Sequence, residues 1–231
     1  MTTIPLIVCL GALIASLNPC TLSVMLMAMS SMLGNRKHPR HAAIYIALFA
    51  LGTFVSYTVL GTLLTLLLNA LPIGLIGYIG IVASVVLVLF GVLEIKDYFF
   101  HGKGWSFKLS KNSENVIHDW TKKHHSRTRG FLLGIYTALR LSHYTLIMVL
   151  AYALLFVLTS SHQLVLPSIW ALWYVVPLLL IALLVASGAN VHSMLSWKEE
   201  SKHIMRLSIG LLYVGLGWII LVYLAGGLHL A

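Results

Sequence analysis

Charge is scarce in this chain, and acidic charge scarcest: 9% of its 231 residues are charged, and only six are Asp or Glu. A soluble domain carries about a quarter charged residues, and one of this length still needs a polar surface over its core. The material for that surface is absent. Cysteine is limited to Cys9 and Cys20, so no disulfide framework can be drawn. No paired Cys-x-x-Cys, phosphate-binding glycine loop or GxSxG motif occurs. No Lys or Arg precedes the first apolar run in Met1-Thr2-Thr3-Ile4-Pro5, so a cleaved signal peptide is not expected.

Apolar residues are plentiful: 59% of the chain is hydrophobic. A bilayer core of roughly 30 Å takes about 20 apolar residues per helix. Six runs meet that need: Ile4–Leu33, Ala42–Leu68, Ile73–Ile95, Gly130–Leu158, Leu164–Ala186 and Leu207–Ala225. The fold class expected is all-α integral membrane, with six transmembrane helices. The first run is too long for one straight span and contains Asn18-Pro19, which predicts a kink or break there.

The net charge of +9 is not a nucleic-acid face, because the basic residues sit in short loops between apolar runs. Arg36, Lys37 and Arg40 follow the first run. Eight more, from Lys96 to Arg129, follow the third, and Lys198, Lys202 and Arg206 follow the fifth. Fourteen of the fifteen Lys and Arg thus fall on one side, and all six acidic residues fall at or just inside that side. By the positive-inside rule this side is cytoplasmic and both termini are extracytoplasmic, in a plasma or inner membrane. Residues 96–129 form a basic linker between halves 1–95 and 130–231. Its Tyr98, Phe99, Phe100, Trp105 and Phe107 interleave with lysines and suit a chain lying on the membrane surface or docking a cytoplasmic partner. His118, His124 and His125 lack the spacing of a metal site, and no metal or cofactor is expected.

The halves share weak self-similarity. Leu17-Asn18-Pro19-Cys20-Thr21-Leu22 aligns with Leu141-Ser142-His143-Tyr144-Thr145-Leu146, and Ala47-Leu48-Phe49 with Ala171-Leu172-Trp173 at the same offset. Three helices per half is an odd number, so two such halves enter the membrane from opposite sides. This is the inverted repeat common in transporters, whose sites lie at the midplane.

That alignment pairs two unusual places. Arg140 lies about 15 Å into the fourth run, where a charge is costly. His143 and Tyr144 follow at i+3 and i+4, on the same helical face. Pro19 lacks an N–H and so frees a carbonyl, that of Ala15 by its spacing. Arg140 then either caps the broken helix and reaches water by snorkelling or through a cleft, or binds an anion or thiolate. Cys20 is either a small buried hydrophobe or, beside Arg140, a reactive thiolate. Cys9 lies roughly 16 Å from Cys20 along a helix, too far for a disulfide. Met25, Met27, Met29 and Met32 read either as a packing stripe or as a soft-metal path.

Asn18-Pro19-Cys20, the basic loop after it and the stretch from Tyr45 to Gly61 resemble the CcdA family, which includes the membrane domain of the thiol:disulfide interchange protein DsbD within the LysE-like superfamily. The resemblance implies six helices in inverted repeats and an extracytoplasmic N-terminus. It also implies electron transfer from cytoplasmic thioredoxin to extracytoplasmic thiols in cytochrome c biogenesis, through one cysteine in the first helix and one in the fourth. Cys20 matches the first. The second falls at Tyr144, and the proline expected before it is His143, so a two-cysteine relay cannot run in the family's form. Three readings follow. One is a divergent thiol redox protein using Cys20, Arg140, His143 and Tyr144 with a thioredoxin-like donor and an extracytoplasmic thiol partner. Another is a solute or ion transporter with a midplane Arg140–His143 site. The last is a non-catalytic membrane subunit.

Overall fold

The computed structural model describes residues 3–34, 39–100, 127–140, 142–159, 165–188 and 190–228, and every element among them is helical. In chain order these are α1 (Thr3–Ser16), α2 (Pro19–Gly34), α3 (Pro39–Asn69), α4 (Ile73–Phe100), α5 (Arg127–Arg140), α6 (Ser142–Thr159), α7 (Leu166–Ala186) and α8 (Val191–Leu228).

The polarity of the bundle is that of a protein in lipid. Large aliphatic side chains such as Leu63, Val82, Leu89, Leu183 and Leu211 face outward, whereas Thr53, Ser56, Thr65, Ser84 and Thr137 are buried. Each of those five hydroxyls donates to the carbonyl four residues earlier, at 2.6–3.0 Å. A hydroxyl without water takes the nearest spare acceptor, and in a helix that is the i−4 carbonyl. Four helices among the described residues are long and apolar enough to cross a bilayer, and α1 with α2 would make a fifth as one span bent by 48°. The protein is a multi-pass helical membrane protein.

Small residues set the helix contacts, because in lipid close backbone approach replaces the hydrophobic drive. On α5, Gly130 and Gly134 lie against the carbonyls of Tyr45 and Phe49 of α3, and Gly52 of α3 lies against that of Phe131. The two helices therefore run parallel. Helices α4 and α8 run antiparallel, with Gly80 against Leu224, Gly217 against Ser84 and Gly91 against Gly210. Helix α7 runs antiparallel to α3, with Pro167 on Gly61 and Trp170 and Tyr174 on Tyr57. Helix α7 also packs on α1, α6 on α3 and α4, and α2 on α8.

Several expectations change. The run Gly130–Leu158 is helical on both sides of Leu141, which lies outside the described residues, and is described as α5 and α6. At 14 residues α5 is shorter than a full span, and among the described residues four helices, or five with α1 and α2 taken together, are long and apolar enough to cross. The third basic loop is helix. Helix α8 begins at Val191, so Lys198, Lys202 and Arg206 stand on it. Ion pairs make this possible: Glu199 meets Lys198 at 2.5 Å and Lys202 at 3.6 Å, and Arg206 reaches Asp97 of α4. The turn into α8 is made at Gly188, whose φ of 97° an L side chain rarely adopts. Helices α4 and α5 also run into the expected linker, to Phe100 and from Arg127. Its remainder, with His118, His124 and His125, lies outside the described residues.

Candidate functional site

The first helix breaks where proline interrupts it. Pro19 has no N–H to continue the ladder, so α1 closes with a tightened turn in which Leu17 N–H donates to Ile14 O and Asn18 N–H to Ala15 O, each at 3.2 Å. The Ala15 carbonyl expected to be free thus has a donor. Helix α2 then starts afresh, with Leu22 N–H donating to Asn18 O at 3.1 Å and Ser23 Oγ to Pro19 O at 2.5 Å. Asn18 is half-buried, Pro19 is buried as the first residue of α2, and Cys20 is the second.

At the aligned place in the second half, α5 is described to Arg140 and α6 from Ser142, with Leu141 between them outside the described residues. His143 and Tyr144 stand in the first turn of α6. The side chains of Cys20, Arg140, His143 and Tyr144 lie outside the described residues, as does Leu141. The two halves meet where Gly11 of α1 receives the Tyr152 hydroxyl of α6: a Cβ on Gly11 would fall 1.7 Å from it.

Around the first break stands an aromatic cluster that sequence reading did not single out. Thr21, the residue after Cys20, has its hydroxyl 3.3 Å from that of Tyr174 on α7. Tyr174 packs against Tyr57 of α3 with ring centroids 4.8 Å apart and against Trp170 at 5.3 Å. Tyr152 packs against Trp170 at 5.5 Å. All four rings are buried. Their only signal in the sequence is Trp170 and Tyr174 at i, i+4, which any core helix shows. Met25, Met29 and Met32 are buried in the same core and act there as packing residues.

A second polar group was also missed. Asp97 of α4 is 3% exposed and is held by Arg206 of α8, with Lys96 at 3.4 Å. Glu94, one turn earlier on the same face, is buried within electrostatic reach of Arg206.

Residues 6–140 match the family described as the cytochrome c biogenesis protein transmembrane region. The chain belongs to that family. Comparisons with curated proteins and with solved structures give no match. The cytochrome c biogenesis match contains Asn18, Pro19 and Cys20 and ends at Arg140, so His143 and Tyr144 lie beyond it. Within this CcdA/DsbD-like family the chain is a membrane domain of the cytochrome c biogenesis type.

Proposed function

We propose that this protein carries reducing equivalents by thiol–disulfide exchange through Cys20, in a form altered from its family because Tyr144 stands where the second cysteine belongs. The observation that carries the reading is the family match across Asn18-Pro19-Cys20, with Cys20 in the first turn of a helix that restarts after a break inside the bundle. The chemistry balances with one resident thiol. The Cys20 thiolate attacks an acceptor disulfide, forming a mixed disulfide and freeing one acceptor thiolate. A thiolate of a donor dithiol then attacks Cys20 sulfur and releases the second acceptor thiolate. The donor's other thiolate closes the donor disulfide and returns Cys20 as thiolate. Two electrons pass from donor to acceptor, and the acceptor thiolates take up two protons. The donor class is a cytoplasmic thioredoxin-like dithiol and the acceptor an extracytoplasmic thiol protein.

The inverted three-helix repeat belongs to this reading. Exchanging α1–α2 with α5–α6, α3 with α7 and α4 with α8 relates the α3–α5 contact to α7–α1, and α4–α6 to α8–α2. The basic residues after runs one, three and five support a cytoplasmic linker at 96–129 and extracytoplasmic termini.

The test is trapping in membranes. Cys20 is first charged as a mixed disulfide with an aromatic disulfide reagent, and a reduced thioredoxin variant lacking its resolving cysteine is then added. The variant is expected to displace the reagent thiol and stay bound to the wild type, and to form no adduct with Cys20→Ser. Equal adducts in both, or none in either, would sink the reading. A break in the first helix also suits a midplane transporter site at Arg140 and His143, and solute-dependent flux in liposomes without any thiol adduct would favour that instead.

A further inference from the structure

Two polar atoms in the aromatic core stand out by their surroundings. Tyr152 and Trp170 are 1% and 2% exposed. The Tyr152 hydroxyl comes near the Trp170 indole nitrogen. Even so, neither Tyr152 Oη nor Trp170 Nε1 meets a hydrogen-bond partner. Buried donors in native proteins almost always have a partner, if need be an ordered water. Both rings border one small, partly open space, lined also by Tyr57, Gly61, Val149, Phe156 and Pro167, with about 10 Å³ for the centre of a water-sized sphere. One water needs about that much, together with at least two polar groups.

The chemistry of the lining narrows the occupant. An indole N–H only donates, so the occupant must accept; a phenol can donate or accept. No charged side chain borders the space, so an ion would sit there without a counter-charge, at high cost. The room for the centre of a water-sized sphere, about 10 Å³, suits one water. We propose that one water molecule sits here, accepting from Trp170 Nε1–H and hydrogen-bonded to Tyr152 Oη.

The site has a structural meaning. Tyr152 belongs to α6 and Trp170 to α7, helices that otherwise touch little. The bridge links them, while the far side of the Tyr152 hydroxyl rests on Gly11 of α1. One water thus ties α6 to α7 where α1 also meets the Tyr152 hydroxyl. This inference is independent of the thiol chemistry of Cys20.

Nuclear magnetic resonance of the full chain in lipid nanodiscs tests it, with the six tryptophans labelled at the indole nitrogen. The Trp170 signal is the one lost in Trp170→Phe. Should that variant not fold, it is assigned by eliminating the other five one substitution at a time. The expected result is a magnetisation-transfer peak from water to the Trp170 indole proton that falls severalfold in Tyr152→Phe, which keeps the ring and its packing. An indole proton with no water contact in the wild type, or one whose contact is undiminished in Tyr152→Phe, overturns the proposal.

Discussion

Thr21 and Tyr174 hold their hydroxyl oxygens 3.3 Å apart although 153 positions separate them in sequence. The first turn of α2, which carries Cys20, is thereby pinned to α7. Tyr174→Phe removes the bond but keeps the ring against Tyr57. The expected cost is about 1 kcal/mol of stability, the net worth of one buried hydrogen bond. Alkylation of Cys20 in membranes should also quicken as the turn loosens. Unchanged melting and unchanged labelling would show that the contact holds nothing in place.

The Asp97–Arg206 pair is set between α4 and α8 where little water reaches, with side chains 3% and 12% exposed. Removing one partner strands a buried charge, so Arg206→Gln is expected to cost about 3–5 kcal/mol. Asp97→Asn should cost a similar amount. The double variant Asp97→Asn/Arg206→Gln should be more stable than the sum of the two losses predicts. Additive losses in melts of the purified protein would mean the two groups do not act as a pair.

Two glycines make opposite predictions for one substitution. A Cβ on Gly134 would fall 2.1 Å from the Phe49 carbonyl oxygen, whereas one on Gly215 meets nothing within 4 Å. Gly134→Ala must push two backbones apart and is expected to cost at least 1–3 kcal/mol, roughly the range for overpacking. Gly215→Ala only stiffens a helix and should stabilise it by up to about 1 kcal/mol. Comparable melting of the two variants would contradict the close approach of α3 and α5.

Arg140 is the last described residue of α5. If its guanidinium holds a thiolate or an anionic ligand, Arg140→Gln should slow alkylation of Cys20 at neutral pH by removing the counter-charge. A variant that melts earlier but alkylates as the wild type does across a pH series would assign Arg140 a purely structural role.

The first break was legible because proline announces it: Asn18-Pro19 has no alternative inside a long apolar run. The aligned place at Arg140–Tyr144 was singled out by sequence alignment alone, and its Leu141 lies outside the described residues. The helical stretch of α8 before Arg206 read as a loop because its charges were counted singly. Its stability comes from Glu199 between two lysines and from Asp97, 109 positions away from Arg206. Tertiary pairing of that kind leaves no periodic trace. The aromatic cluster was hidden for a similar reason, with Tyr57, Tyr152 and Trp170–Tyr174 on three separate helices.

The backbone contact between α3 and α5 also bears on how the protein enters its membrane. Helix α5, Arg-Thr-Arg-Gly-Phe-Leu-Leu-Gly-Ile-Tyr-Thr-Ala-Leu-Arg, is too polar to partition into lipid alone. Its Gly130 and Gly134 face fits α3 and lets it settle against a helix already in place. The amino-terminal half then serves as the template on which the carboxy-terminal half is inserted. A chain synthesised from Arg127 onward, with no α3 to receive it, is left with α5 stranded at the bilayer surface.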